Sequence, residues 1–228
     1  MQMGKLRAVS ALILLFAVGS VARATYVGEP LTSGNSSTDG DPPLVILGEY
    51  NATAPTATSS ITFPTAGTVT DVQINASASG DAFTVYDAHP AGADSNGNQQ
   101  FTLTSMGSFV TTSTPGVQVF TTTPFAVQAG DLLAFWGQGP LYTSGTGTDA
   151  TYQTTGGTQY FATQPTSGAT YSVGAAGNAT AAFQYLPGTN DPRNYEIGVD
   201  VTPEPSSVML GFLGVVALLL PRYRARAR

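Results

Sequence analysis

Between Thr25 and Val201 no stretch holds a sustained 3.6-residue apolar period. Apolar side chains instead recur at every second position in runs of about four to eight residues, cut by Gly, Pro, Asn and Asp. A chain written this way offers no apolar helix stripe to bury, so it has to fold as sheets. The clearest run places Tyr195, Ile197, Val199 and Val201 on one face and Glu196, Gly198 and Asp200 on the other.

Further strands are expected at Leu44–Leu47, Ser60–Phe63, Thr68–Asn75, Phe83–Asp87, Phe101–Thr104, Val117–Thr122, Leu132–Trp136, Thr158–Ala162, Ala169–Val173 and Ala181–Leu186. Leu44–Leu47 is continuously apolar and reads as buried on both faces. In Thr68–Asn75, Val72 and Ile74 face one way while Asp71 and Gln73 face the other. Phe83 and Val85 are expected inward, His89–Gln99 as a loop, and the strand from Phe101 is read as continuing to Val110 past a kink at Gly107. Gly130 can turn the chain sharply before Leu132, with Asp131 bonding backbone donors in that corner. Leu132, Ala134 and Trp136 lie opposite Leu133 and Phe135, which implies a central strand whose outer face is covered by a loop. This pattern predicts an all-β fold, a single antiparallel β-sandwich of jelly-roll type.

Charge is strongly partitioned. Of the 8 basic residues only Arg193 lies between Thr25 and Pro205, whereas all 14 acidic ones do, a net of −13 for that segment. Such a surface repels nucleic acid and anionic lipid and leaves neutral glycans unopposed. Arg193 is expected to anchor the last strand through a local ion pair with Asp191 or Glu196. The chain has 0 cysteines, which excludes disulfides, thiolate metal sites and a cysteine nucleophile.

Both ends carry targeting patterns. Lys5 and Arg7 precede the apolar run Ala8–Val18, and small residues at Ala22 and Ala24 follow. This is the layout of a signal peptide (residues 1–24) cut by signal peptidase after Ala24, or after Ala22. Residues 25–43 read as a flexible leader and 44–201 as the exported sandwich.

At the other end, Pro203-Glu204-Pro205 should be stiff and extended, because each proline fixes φ and removes a donor. Val208–Leu220 follows as an uncharged run of thirteen residues. At 1.5 Å per residue it reaches roughly 20 Å, against about 30 Å of bilayer hydrocarbon. Arg222, Arg224, Arg226 and Arg228 then hold the terminus on the cytoplasmic side.

These three parts, in this order over residues 202–228, resemble the PEP-CTERM sorting signal of exopolysaccharide-producing bacteria. The motif is residues 202–207, the transmembrane helix 208–220 and the basic tail 221–228. The resemblance implies recognition by an exosortase-type membrane peptidase, cleavage near Pro203, Glu204 and Pro205, and inner-membrane anchoring before release to the cell surface or extracellular matrix.

Little else points to chemistry. The one histidine, His89, has no cysteine to share a metal with, and no Gly-x-Ser-x-Gly elbow occurs. No catalytic residue and no cofactor are therefore expected. Asp94, Asn96 and Asn98 begin like a calcium loop, but Gln99 and Ser105 stand where Gly and Glu would be needed, so calcium is only a minor alternative. The expectation is an exported, non-enzymatic protein with a structural or adhesive role. A glycan-binding module of the exopolysaccharide matrix, with or without calcium, is the alternative, and a secreted glycoside-active enzyme comes third.

Overall fold

The structure, a computed structural model, describes residues 23–31, 44–48, 61–77, 80–155, 164–185 and 193–204. Thr25–Val201 form one compact unit. Every regular element in the described residues is a strand, so the all-β expectation holds.

Twelve strands form two sheets. The smaller has the order β1-β12-β3-β6, built from β1 (Thr25–Gly28), β3 (Gly67–Ala76), β6 (Gly116–Val127) and β12 (Ile197–Pro203). The larger runs β10-β9-β5-β4-β7-β2-β8-β11. Its strands are β2 (Leu44–Ile46), β4 (Ala82–Ala93), β5 (Gln99–Val110), β7 (Leu132–Gly137), β8 (Tyr142–Thr154), β9 (Ala169–Gly174), β10 (Phe183–Tyr185) and β11 (Arg193–Tyr195). Strand β10 pairs with β8 as well as with β9, so the larger sheet closes on itself as a ring of seven strands, with β11 as an added edge.

Closure of the ring produces two cores. Val45, Phe83, Val85, Leu133 and Phe135 face outward from the ring and pack against Val69, Val72, Ile74, Ile197, Val199 and Val201 of the smaller sheet. Leu44, Ile46, Tyr86, Ala88, Leu132, Ala134, Ala150 and Tyr152 form the second core, drawn from ring strands alone. Strands β2, β4 and β7 are thus apolar on both faces because each face meets a different core. The outer cover expected for Leu132–Trp136 is therefore the rest of the ring and not a loop. Trp136 is half-buried against the second core. Fully burying one such aliphatic or aromatic side chain contributes about 1.5–3 kcal/mol, so the second core is a major part of the stability.

Other sequence expectations change as well, and Ser60–Phe63, expected as a strand, keeps only an isolated bridge from Thr62 to Leu132. Residues 25–28, assigned to a flexible leader, form β1, with Thr25, Tyr26, Val27 and Gly28 paired to Val201, Asp200, Val199 and Gly198. Val27 is buried in the core, which gives this short polar segment its reason to order. His89–Ala93, expected as loop, continues β4, and register shifts between Pro90 and Gly92 absorb the proline within the pairing to β5. The run Tyr195–Val201 is not one strand. Tyr195 ends β11 at the edge of the larger sheet, and Ile197 begins β12 in the smaller sheet.

Glu196 is the residue at which the chain changes sheets, and it is 1% exposed. Its N–H donates to the Leu141 carbonyl at 2.8 Å, and its carbonyl accepts from the Asn75 N–H at 2.9 Å. The Asn75 side-chain amide donates to its carboxylate. A carboxyl group on the polar face of an alternating strand is here enclosed and hydrogen-bonded, as burial of a polar group requires.

The expected strand Thr158–Ala162 lies outside the described residues. So do residues 1–22 of the expected signal segment, Ala22 among them, Pro205, the expected helix 208–220, and Arg222, Arg224, Arg226 and Arg228. Among the described residues no helix is long and apolar enough to cross a membrane.

Candidate functional site

Three polar constellations sit on this frame. The first is built by the corner before β7. Gly130 takes φ of 91°, and Asp131 Oδ2 accepts the Gln128 N–H at 2.7 Å, which closes the turn. The other Asp131 oxygen lies 2.6 Å from His89 Nδ1, which the extended β4 carries to this corner. Asp87, two residues earlier on the same strand, hydrogen-bonds to Asp131 and keeps its Oδ1 buried without a partner. Burial, then the Asp131 charge and their shared hydrogen bond, push the Asp87 carboxyl well above the carboxylate range. Asp131 therefore gathers a backbone amide, an imidazole and the Asp87 carboxyl, and these contacts fix the corner.

The second constellation is Asp149. Its Oδ1 accepts the Gly48 N–H at 2.8 Å and its Oδ2 the Tyr195 N–H at 2.7 Å. Burial raises its pKa to about 8 against the pull of both amides. The side chain ties the end of β2 to the last residue of β11, directly before the sheet change. Arg193 stacks its guanidinium 4.2 Å from the Tyr142 ring centroid and donates to the Tyr195 hydroxyl at 3.2 Å. The expected partner Asp191 lies outside the described residues.

The third is the β4–β5 hairpin with the turn after β9. Asp94 Oδ1 accepts from the Asn96 and Asn98 amides at 2.8 and 2.9 Å, and Oδ2 from Asn98 Nδ2 at 2.8 Å. These bonds, the Asn98 side chain first, hold the Asp94 carboxyl below its ordinary range. Asn98 also donates to Thr180 Oγ1 at 3.0 Å and accepts from the Asn178 amide. Of the candidate calcium ligands, Asp94 and Asn98 are thus brought together, but as acceptor and donor to each other. Among the described residues no group of three or more His, Asp or Glu side chains could hold a metal ion.

Beside this network is a cleft of about 340 Å³, lined by Asn96, Asn98, Gln99, Val173 and Asn178 together with glycine and alanine backbone. Of these, Asn98 is buried and Asn96 exposed, while Gln99 and Asn178 are half-buried. The volume lies in the range of small-molecule sites. Its lining presents amides and small apolar groups and no charged side chain. Sequence reading found the loop but not the cleft, because its far wall comes from β9 and the turn at Asn178, more than seventy residues on.

The triplet Pro203-Glu204-Pro205, expected as a sorting motif, is described only in part. Pro203 is the last residue of β12, and Glu204 follows it exposed and outside any strand.

Fold and sites together define an all-β protein with buried acidic ties and, among the described residues, an uncharged cleft. No protein-family model matches the chain. No curated protein matches it either. Similar solved structures include the clostridial cysteine protease Cwp84 after propeptide cleavage, at 11% identity and a TM-score of 0.41, with 81% of this chain and 41% of that chain covered. The cysteine protease and lectin-like domains of Cwp84, a surface layer associated protein of Clostridium difficile, give 11% identity and a TM-score of 0.33, covering 76% of this chain and 37% of that chain. This chain thus spans under half the length of either, and so loose a superposition transfers neither fold nor activity.

Proposed function

We propose that this is an exported protein whose folded unit serves a structural or adhesive role at the cell surface or in the exopolysaccharide matrix, without catalysis. The observation that carries the reading is the ordered end of the chain: Pro203-Glu204-Pro205, the uncharged run Val208–Leu220, and four arginines in the last seven residues. An exosortase-type peptidase is the processing partner and signal peptidase acts at Ala24 or Ala22. The membrane holds the chain through helix 208–220 until cleavage. The finer fold we infer is a jelly-roll-like sandwich in which one layer is rolled into the ring.

Exposure of Glu204 just past the final strand supports the reading, since a peptidase needs an extended, unpaired segment. Deleting residues 203–228 tests it. The truncated protein should leave the membrane and surface fractions, and unchanged surface location would contradict the proposal.

A second reading, a glycan-binding module, is favoured by the uncharged cleft beside Asn96 and Gln99. Amides of this kind hydrogen-bond hydroxyl-rich neutral ligands, which a domain of net −13 does not repel.

A further inference from the structure

The cleft beside the β4–β5 hairpin is bordered by the side-chain amides of Asn96, Asn98, Gln99 and Asn178, and these are not equivalent. Asn98 is spent inside the protein. Its Nδ2 donates to Asp94 Oδ2 at 2.8 Å and to Thr180 Oγ1 at 3.0 Å, and its Oδ1 accepts from Asn178 Nδ2. Asn178 Oδ1 in turn accepts the Thr180 N–H at 3.0 Å and the Thr180 hydroxyl at 2.7 Å. Strand β9 closes on this pair: a Cβ on Gly174 would stand 3.0 Å from Asn178 Nδ2 and 3.1 Å from Asn98 Oδ1. Asn96 and Gln99 differ. Among the described residues neither side chain makes a hydrogen bond, although Gln99 is half-buried. Two primary amides are thus held at a cleft by a rigid network and left unspent.

The rest of the lining is small and apolar. Its apolar side chains are Ala93, Val173 and Ala175, and among the described residues no aromatic ring borders it. A flat surface for the C–H face of a bare sugar ring is therefore missing. Gly92 and Gly97, both with positive φ, leave open space where a Cβ would stand. The cleft offers methyl-sized contacts beside two free amides.

We infer that this cleft takes an N-acetylated sugar residue and reads its acetamido group, with the amide on Gln99 and Asn96 and the methyl on Val173 and Ala175. The inference rests on the glycan-binding reading and narrows it. A primary amide presents donor and acceptor in one plane. A second amide, equally planar, answers both at once, whereas a hydroxyl rotates and answers one bond at a time. The acetamido methyl also supplies the apolar contact that an unsubstituted hexose lacks. The group is uncharged, so a unit of net −13 does not repel it as it would a carboxylated sugar. A volume of about 340 Å³ is near the lower end of small-molecule sites and suits one substituted ring.

Chitotetraose and cellotetraose separate the parts of this claim, because they differ only in the acetamido group on each ring. Each would be titrated into the isotope-labelled full chain, in a detergent without a sugar head group, and followed by NMR. Chitotetraose should bind about tenfold tighter than cellotetraose, the gain from one matched amide, and shift Gln99, Val173 and Ala175. Gln99→Ala and Asn96→Ala lie outside the Asn98 network. Each should bring chitotetraose toward the cellotetraose value with the melting temperature unchanged. Retained selectivity in both variants would overturn the inference. Equal affinity of the two sugars at the cleft would overturn it and leave the broader glycan reading standing. Failure of both sugars to bind there would remove the two together. Binding of N-acetylalanine methylamide as tight as that of chitotetraose would assign the cleft to peptide bonds and also overturn it.

Discussion

Asp149 Oδ2 receives the backbone N–H of Tyr195 at 2.7 Å, where the chain leaves the larger sheet for the smaller one. A fully buried carboxyl thus holds the point on which the two-core arrangement turns. Because burial raises its pKa to about 8, the folded state keeps a proton that the unfolded chain releases near the ordinary carboxylate value. The folded pKa exceeds the unfolded one, so this stabilisation is complete at low pH and is lost as pH rises toward 8. Asp87 is shifted in the same direction and adds to the trend. Melting temperature should therefore fall between pH 5 and pH 8. Asp149→Asn should flatten that slope while lowering stability by about 1–3 kcal/mol, since its amide nitrogen would face a donor. A slope unchanged in Asp149→Asn would remove Asp149 from the account.

The close approach of β1 to β12 gives a second prediction. A Cβ on Gly28 would lie 2.2 Å from Gly198 Cα, and Gly28 has φ of 151°. Backbone cannot yield as a side-chain tip does, so Gly28→Ala should cost about 1–3 kcal/mol and free the β1 amides for hydrogen exchange. Gly168→Ala is the control, with positive φ but nothing within 4 Å of the new Cβ. Equal losses in the two variants would mean that crowding at Gly198 is not what matters.

Asp94 gives an opposite pH signature. Its pKa is lowered, so its contribution is present above the ordinary carboxylate range and disappears as pH falls through the folded value. Asp94→Ala should lower the melting temperature at pH 7, and by progressively less as the pH falls through the acid range. Millimolar calcium should leave the wild-type melting temperature unchanged, because N–H donors already occupy both oxygens. A calcium-dependent rise would restore Asp94, Asn96 and Asn98 as ligands.

If the second functional reading holds, neutral oligosaccharides titrated into the full chain should perturb Asn96 and Gln99. Gln99→Ala should weaken binding about three- to tenfold, the effect of one lost hydrogen bond. Perturbations clustered elsewhere would place any glycan site outside the cleft.

How far the fold could be read in advance depended on what each residue's neighbours supply. Strands β3 and β7 were legible because Val72, Ile74, Leu133 and Phe135 declare their faces locally. Strand β8 was not, since Tyr142–Thr154 is written in Thr, Ser and Gly and reads as turn. Its pairing comes from β2, which docks Leu44 on Tyr152. The second core was hidden for a related reason: a period of two shows that Leu132 and Leu133 point apart and that both faces need cover, but not that the outer cover is the rest of a closed ring. Asp131 was legible as a corner residue from Gly-Asp before an apolar strand. Its contact with His89 was not, because Pro90 disguised the end of β4. The Asn96–Asn178 cleft needed tertiary structure altogether.

Mass spectrometry of the mature C-terminus, on protein recovered from the cell surface and matrix, tests the central claim most directly. The account predicts chains ending at or beside Pro203-Glu204-Pro205, with no peptide from residues 208–228. An intact terminus at Arg228 in that fraction would contradict it.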